Sequence, residues 1–153
     1  MPERTFGGPY VQVAAICQTS IVDNQGGALS VIRIQDRIQV MGLTDEMQPQ
    51  PLANYQLVLC LKSGEMRGKG TLRLTPVTPS GKSLPYAETT ALFEGDERGN
   101  ALIAPLAVVA EEEGLYWMEI ALDGQLLTRI PFRVMYQKMQ FTPGMPLPHG
   151  GIG

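Results

Sequence analysis

The sequence contains few of the residues from which catalytic and metal sites are usually built. A single histidine, two cysteines and one tryptophan occur among 153 residues. The histidine, His149, lies in a segment of prolines and glycines, so a serine or cysteine nucleophile has no firmly held base. A zinc site would need more histidines and cysteines at short spacing. We therefore expect no metal, no cofactor and no enzymatic activity.

Charge and long apolar runs are also scarce. Charged residues make up 18% of the chain and the net charge is -3, so there is no basic excess that would gather nucleic-acid phosphates. No apolar run approaches the roughly 18 residues that a membrane-spanning helix requires. The first residues lack the basic start and long apolar centre of a signal peptide. We expect a cytoplasmic protein with no nucleic-acid or membrane partner and with both cysteines reduced.

Turn-forming residues, by contrast, are abundant. Glycine and proline number 17 and 12, and between them apolar and polar side chains alternate with the period of two that half-buried β-strands show. About eight short runs of this kind predict an all-β fold, an immunoglobulin-like β-sandwich, with a small closed barrel as the alternative. We expect an N-terminal arm over 1–9, the sandwich domain over 10–136 and a Gly/Pro-rich tail over 137–153.

Asp36 stands out because it falls on the apolar face of an alternating run, between Ile34 and Ile38. A carboxylate on such a face is costly to bury unless it is paired or hydrogen-bonded. It is therefore a buried polar candidate, a binding or catalytic acid. The structural alternatives are an inward charge guarding a strand edge, a bulge at Gln35-Asp36, or a pair with a nearby arginine.

The last two runs predict a hairpin whose register follows from parity. Each predicted strand has a row of apolar residues, and every residue in both rows has an even number: Tyr116, Met118, Ile120 and Leu122 in the first, and Ile130, Phe132 and Val134 in the second. Paired residues share a face, so both rows face one core only when paired numbers sum to an even value. We therefore predict a three-residue turn, Asp123 to Gln125, which pairs Leu122 with Leu126.

The same register places Trp117 on the outer face of the hairpin. It sets Trp117 opposite Pro131, with Arg129 and Arg133 diagonal to it, and Glu119 opposite Arg129. One interpretation is an indole covered by arginine. The other is a protein contact, because tryptophan and arginine dominate interface hot spots.

The tail carries a second pair of candidate contact residues. Met145 and Leu147 stand among prolines and glycines that cannot form regular structure. They are either anchors for a groove on a partner or part of an unconstrained terminus.

Several of these segments together resemble a known family. They are the turn Asp23-Asn24-Gln25-Gly26-Gly27, the strand with Asp36-Arg37-Ile38, Tyr55-Gln56-Leu57, Gly114-Leu115-Tyr116, Leu122-Asp123-Gly124 and Ile130-Pro131-Phe132-Arg133-Val134. The chain is similar, from about Tyr10 to Tyr136, to a family of small bacterial proteins of unknown function. The resemblance implies an immunoglobulin-like fold, since Gly-x-Tyr followed by Asp-Gly ends many such modules, and it implies no activity.

The sequence thus favours a non-enzymatic protein-binding or assembly module. It would act through a sheet face, a strand edge or the C-terminal tail, on a protein partner or a second copy of itself. The alternative is an enzyme or small-ligand binder with a polar pocket around Asp36, and convergent polar groups beside Asp36 would distinguish the two.

Overall fold

A computed structural model describes residues 7–52, 54–140 and 144, which form nine strands. The strands are β1 (Tyr10–Val22), β2 (Leu29–Ile34), β3 (Arg37–Gly42), β4 (Gln50–Pro51), β5 (Gln56–Val77), β6 (Ala87–Pro105), β7 (Val109–Ala110), β8 (Gly114–Leu122) and β9 (Gln125–Lys138). The described part of the chain contains no helix that is long and apolar enough to span a bilayer. β9 ends two residues inside the segment predicted as the tail.

The long hairpin of β5 and β6 organises the two layers of the sandwich. These strands pair along most of their length, with register shifts between Lys62, Gly64 and Arg67. Gly64 has a φ of 59°, a left-handed conformation that glycine adopts without steric cost. Before these shifts β5 also pairs with β1, and after them it pairs with β8. The strand order is β2-β1-β5-β8-β9-β3, with β6 beside β5.

Buried side chains from both parts of this arrangement form one core. Ile16 and Leu59 come from β1 and β5, while Tyr116 and Phe132 come from β8 and β9, and their rings stack at 5.4 Å. The Tyr116 hydroxyl donates a hydrogen bond to the backbone oxygen of Glu112, four residues earlier, at 2.7 Å. Such a tyrosine corner is a hallmark of immunoglobulin-like sandwiches. The all-β prediction is confirmed, since every described element is a strand, and the tyrosine corner agrees with the predicted immunoglobulin-like arrangement.

The alternating run that contains Asp36 is divided between two strands with different partners. β2 pairs antiparallel with β1, and β3 pairs parallel with β9. Arg33, near the end of β2, has a φ of 58°, and the chain then passes through Gln35 and Asp36 to β3. The alternation is therefore reset: Ile38 is buried, whereas Ile34 is 66% exposed.

The final hairpin follows the predicted register over most of its length but not at its turn. Trp117 pairs with Pro131 and Glu119 with Arg129, as expected. The three-residue turn is wrong, because Leu122 pairs with Gln125 across a two-residue turn whose φ values, 48° and 79°, are both left-handed. A bulge restores the parity, since Ala121 pairs with Leu126 but Ile120 pairs with Thr128. The unpaired Leu127 packs against the core.

Candidate functional site

The outer face of β8, β9 and β3 carries the contact residues that the sequence singled out. Along β8, Tyr116, Met118 and Ile120 are buried, so Trp117 and Glu119 between them point away from the core. Along β9, Phe132 and Val134 are buried and leave their neighbours on the outer face in the same way. We call this surface the arginine face and define it by Arg37, Leu115, Trp117, Arg129, Pro131, Arg133 and Met135.

Trp117 lies at the centre of the arginine face and is partly exposed. The Arg129 guanidinium carbon lies 4.4 Å from the centre of the indole ring, a cation–π contact. Arg129 also approaches Glu119, with 3.7 Å between its Nε and the carboxylate oxygen. Arg129 therefore contacts both Trp117 and Glu119 of its own chain. This contact agrees with the first interpretation of Trp117, an indole covered by arginine.

Arg133 has no such partner among the described residues. It lies beside Leu115 on β8 and beside Arg37 on β3, because β3 runs parallel to β9 with Arg37 directly paired to Arg133. Both arginines are exposed, and neither forms an ion pair with any described residue. Neighbouring strands lie about 4.8 Å apart, and like charges on directly opposite residues destabilise a sheet.

Sequence reasoning missed Arg37, although it found Arg133. The alternation does place Arg37 on the polar side of its run, and this signal is present in the sequence. Its proximity to Arg133 depends on the parallel pairing of β3 with β9, which joins residues far apart in the chain. No local sequence pattern predicts such a pairing.

Arg73, on β5 of the same sheet, is an arginine that does have an ion-pair partner. Arg73 donates to the Glu88 carboxylate through Nε at 2.9 Å and Nη2 at 2.6 Å. Its guanidinium lies 4.0 Å from the centre of the Tyr86 ring. The hydrogen bond to Glu88 raises the pKa of Arg73 above its usual value. Arg73 thus has a carboxylate partner within the chain, whereas Arg37 and Arg133 have none among the described residues.

Methionines extend the arginine face past Arg133. Met135 pairs with Gln39, and Met41 pairs with Gln137. The two methionines are 36% and 48% exposed. Methionine is flexible and polarisable and is frequent at surfaces that bind other proteins. The face thus combines tryptophan, arginine and methionine, the residue types enriched in protein interfaces.

Asp36 does not occupy the place predicted for it. Its side chain is exposed, and only its backbone oxygen is engaged, accepting a hydrogen bond from the Arg133 amide at 2.8 Å. The prediction of a buried carboxylate is wrong because the strand breaks at Gln35 and Asp36, where the chain passes from β2 to β3. The break restarts the alternation, so position 36 belongs to neither apolar row.

A cavity on the β6 side of the molecule is apolar and lies away from Asp36. Its volume is about 410 Å³, and its lining includes Leu57, Leu74, Met118 and Tyr86. None of its lining residues is a carboxylate, histidine, cysteine or lysine. Acid–base chemistry needs convergent titratable groups, and this cavity does not gather them.

The acidic run at 111–113 has structural partners. Glu112 accepts a hydrogen bond from the Ser80 hydroxyl at 2.9 Å, which lowers the pKa of the carboxyl. Glu113 accepts one from the Tyr136 amide at 2.6 Å. Among the described residues, no group of three histidine, cysteine or acidic side chains is placed to hold a metal ion.

Cys17 is buried and Cys60 is half-buried, and both are free thiols. They lie on neighbouring strands but not opposite each other, since Cys17 pairs with Gln56 and Cys60 pairs with Val13. Burial raises the pKa of both thiols. Met145 and Leu147, the predicted tail contacts, lie outside the described residues.

Comparison with known proteins assigns the chain to a family. Residues 12–135 match the model of a family of unknown function, DUF6941. The chain belongs to this family. The matched region includes the whole arginine face.

Among solved structures, the chain is similar to an immunoglobulin-like protein from Pseudomonas aeruginosa. The two share 12% sequence identity and a TM-score of 0.41, over 84% of this chain and 97% of the other. No curated protein matches the chain.

Proposed function

We propose that the protein is a non-enzymatic, bacterial, cytoplasmic protein-binding module whose contact surface is the arginine face. The observation that carries this proposal is the placement of Arg37 and Arg133, which form no ion pair with any described residue, on the same face as a partly exposed tryptophan. Their mutual repulsion disfavours the isolated sheet, and a partner that covers them with complementary groups would remove that repulsion. Trp117 and Leu115 supply apolar area next to the charges, as in the centre of an interface.

The alternative function, an enzyme or small-ligand binder, receives less support from the geometry. Its premise was a polar pocket around Asp36, and that side chain is exposed. Asp36 is also absent from the lining of five cavities in the described part of the chain. The expectation that the protein is not an enzyme therefore stays part of the proposal.

The test compares two aromatic–arginine pairs, Trp117 with Arg129 and Tyr86 with Arg73. Trp117→Ala removes the centre of the arginine face, and Tyr86→Ala removes the ring beside Arg73, outside that face. Each variant and the wild type would be used as bait in extracts of the native host, and the captured proteins quantified by mass spectrometry. Solution mass would be measured over a range of concentrations in parallel.

We expect Trp117→Ala to lower the capture of a specific partner by about 30-fold, the effect of losing a hot spot of about 2 kcal/mol. Tyr86→Ala should leave capture unchanged. If both variants capture the same proteins in the same amounts as the wild type, and solution mass is also unaltered, the arginine face is not the binding surface.

A further inference from the structure

The unpaired state of Arg37 and Arg133 distinguishes them from most other arginines of the described chain. Four arginines lie within 4.0 Å of a carboxylate: Arg67, Arg73, Arg98 and Arg129. Arg37 and Arg133, by contrast, have no carboxylate within 4.0 Å among the described residues. They are directly paired on neighbouring strands and lie on the same face of the sheet. The sheet therefore presents two adjacent guanidinium groups to an outside ligand.

The chemistry of these groups selects an anionic ligand. A guanidinium group presents planar N–H donors whose geometry matches a carboxylate, and it stays charged at every physiological pH. The chain as a whole has a net charge of -3, so the pair is a local positive site on an acidic molecule. It would orient an acidic partner towards this face, while the net negative charge of the chain would repel that partner from the rest of the surface.

The surroundings of the pair indicate a protein segment in preference to a free anion. Leu115, on β8, pairs with Arg133 on the side opposite Arg37. Met135 follows Arg133 by two positions on the same face of β9. Met135 is 36% exposed. A small anion would leave this apolar area uncovered, whereas an acidic peptide with apolar side chains beside its carboxylates would cover both.

We propose that Arg37 and Arg133 together bind the carboxylates of an acidic segment of a partner protein, with an apolar side chain of that segment resting between Trp117 and Met135. This assignment rests on the proposed function, because it names the chemistry of the partner that the arginine face binds.

The direct test uses a synthetic probe. A short fluorescein-labelled peptide with alternating glutamate and leucine at its centre would be titrated with the full chain, and fluorescence anisotropy and amide chemical shifts recorded. A second peptide has glutamine at each glutamate. The protein variants are Arg37→Gln, Arg133→Gln and, as the matched control, Lys69→Gln, which removes one positive charge at an exposed position of β5 outside the arginine face.

We expect saturable binding of the glutamate peptide, with shifts at the amides of residues 37 and 133. Each arginine variant should weaken binding about tenfold, the loss of one charge-assisted contact. Lys69→Gln should not. Binding should weaken as salt rises. The affinity of the wild-type protein for the glutamine peptide should be no higher than the affinity of the arginine variants for the glutamate peptide. No saturable binding, or equal weakening by Lys69→Gln, would overturn the assignment.

The extract experiment separates this assignment from the proposed function. If Trp117→Ala abolishes capture while the Arg37→Gln, Arg133→Gln double variant retains it at all salt concentrations, the arginine face binds a partner but not an acidic one. A doubled solution mass that the double variant reverses would show that the occupant is a second copy, which also overturns the acidic-partner assignment. If neither variant changes capture or mass, the proposed function itself fails.

Discussion

Tyr116→Phe removes one hydroxyl from the core while leaving the ring in place. The Tyr116 side chain is fully buried, and its ring stacks on Phe132 at 5.4 Å, a contact that phenylalanine retains. The hydroxyl donates to the Glu112 oxygen at 2.7 Å and accepts from the Glu112 amide at 3.3 Å. The substitution therefore isolates the tie between the start of β8 and the loop before it.

The expected cost follows from these two bonds. A net hydrogen bond contributes about 1 kcal/mol, and the substitution removes both bonds to Glu112, so we expect a loss of about 1–2 kcal/mol in the free energy of unfolding. For a chain of this size this corresponds to a fall of about 3–6 °C in Tm. Urea unfolding followed by circular dichroism measures the change directly. The control is Tyr86→Phe, whose hydroxyl is exposed and forms no hydrogen bond with the described residues.

The pH dependence of the same variant gives a second, independent check. Burial raises the pKa of the Tyr116 phenol above its ordinary value of 10.0. Above that pH the unfolded chain releases the phenolic proton while the folded chain keeps it, so the unfolded state binds fewer protons and stability falls as pH rises. The Phe variant lacks this proton, and its deficit relative to wild type should shrink above pH 10.0. A cost no larger than that of Tyr86→Phe, together with a deficit independent of pH, would refute the tyrosine-corner reasoning.

Two further substitutions test local geometry. Gly124→Ala should cost about 1 kcal/mol in unfolding free energy, because its φ of 79° is disfavoured for residues with a side chain; Gly26→Ala, at a position with open space and no left-handed φ, should stay within about 0.5 kcal/mol. Equal effects of the two would show that the turn tolerates alanine. Asp36→Ala should also change stability by less than about 0.5 kcal/mol, since the carboxylate is exposed. A loss of 1–3 kcal/mol, the range for a buried polar partner left unsatisfied, would show that the carboxylate is engaged after all.

The parity argument shows how far sequence reasoning reaches in the final hairpin. The even-numbered apolar rows require both strands to face one core, and the structure pairs Trp117 with Pro131 as that requirement predicts. Parity does not say where the extra residue goes. A three-residue turn and a two-residue turn followed by a bulge at Leu127 satisfy it equally, and the left-handed conformations of Asp123 and Gly124 favour the second.

What the sequence determined by itself is the all-β character of the chain, the inward faces of the last two strands and the outward position of Trp117, because side-chain alternation is a local property of the chain. The tertiary structure decided the exposure of Asp36 and the adjacency of Arg37 to Arg133. Both depend on the point at which the chain ends its pairing with β1 and begins a parallel pairing with β9, a strand distant in sequence. Such a pairing is selected by the packing of the whole core, and no short stretch of residues contains the information that specifies it.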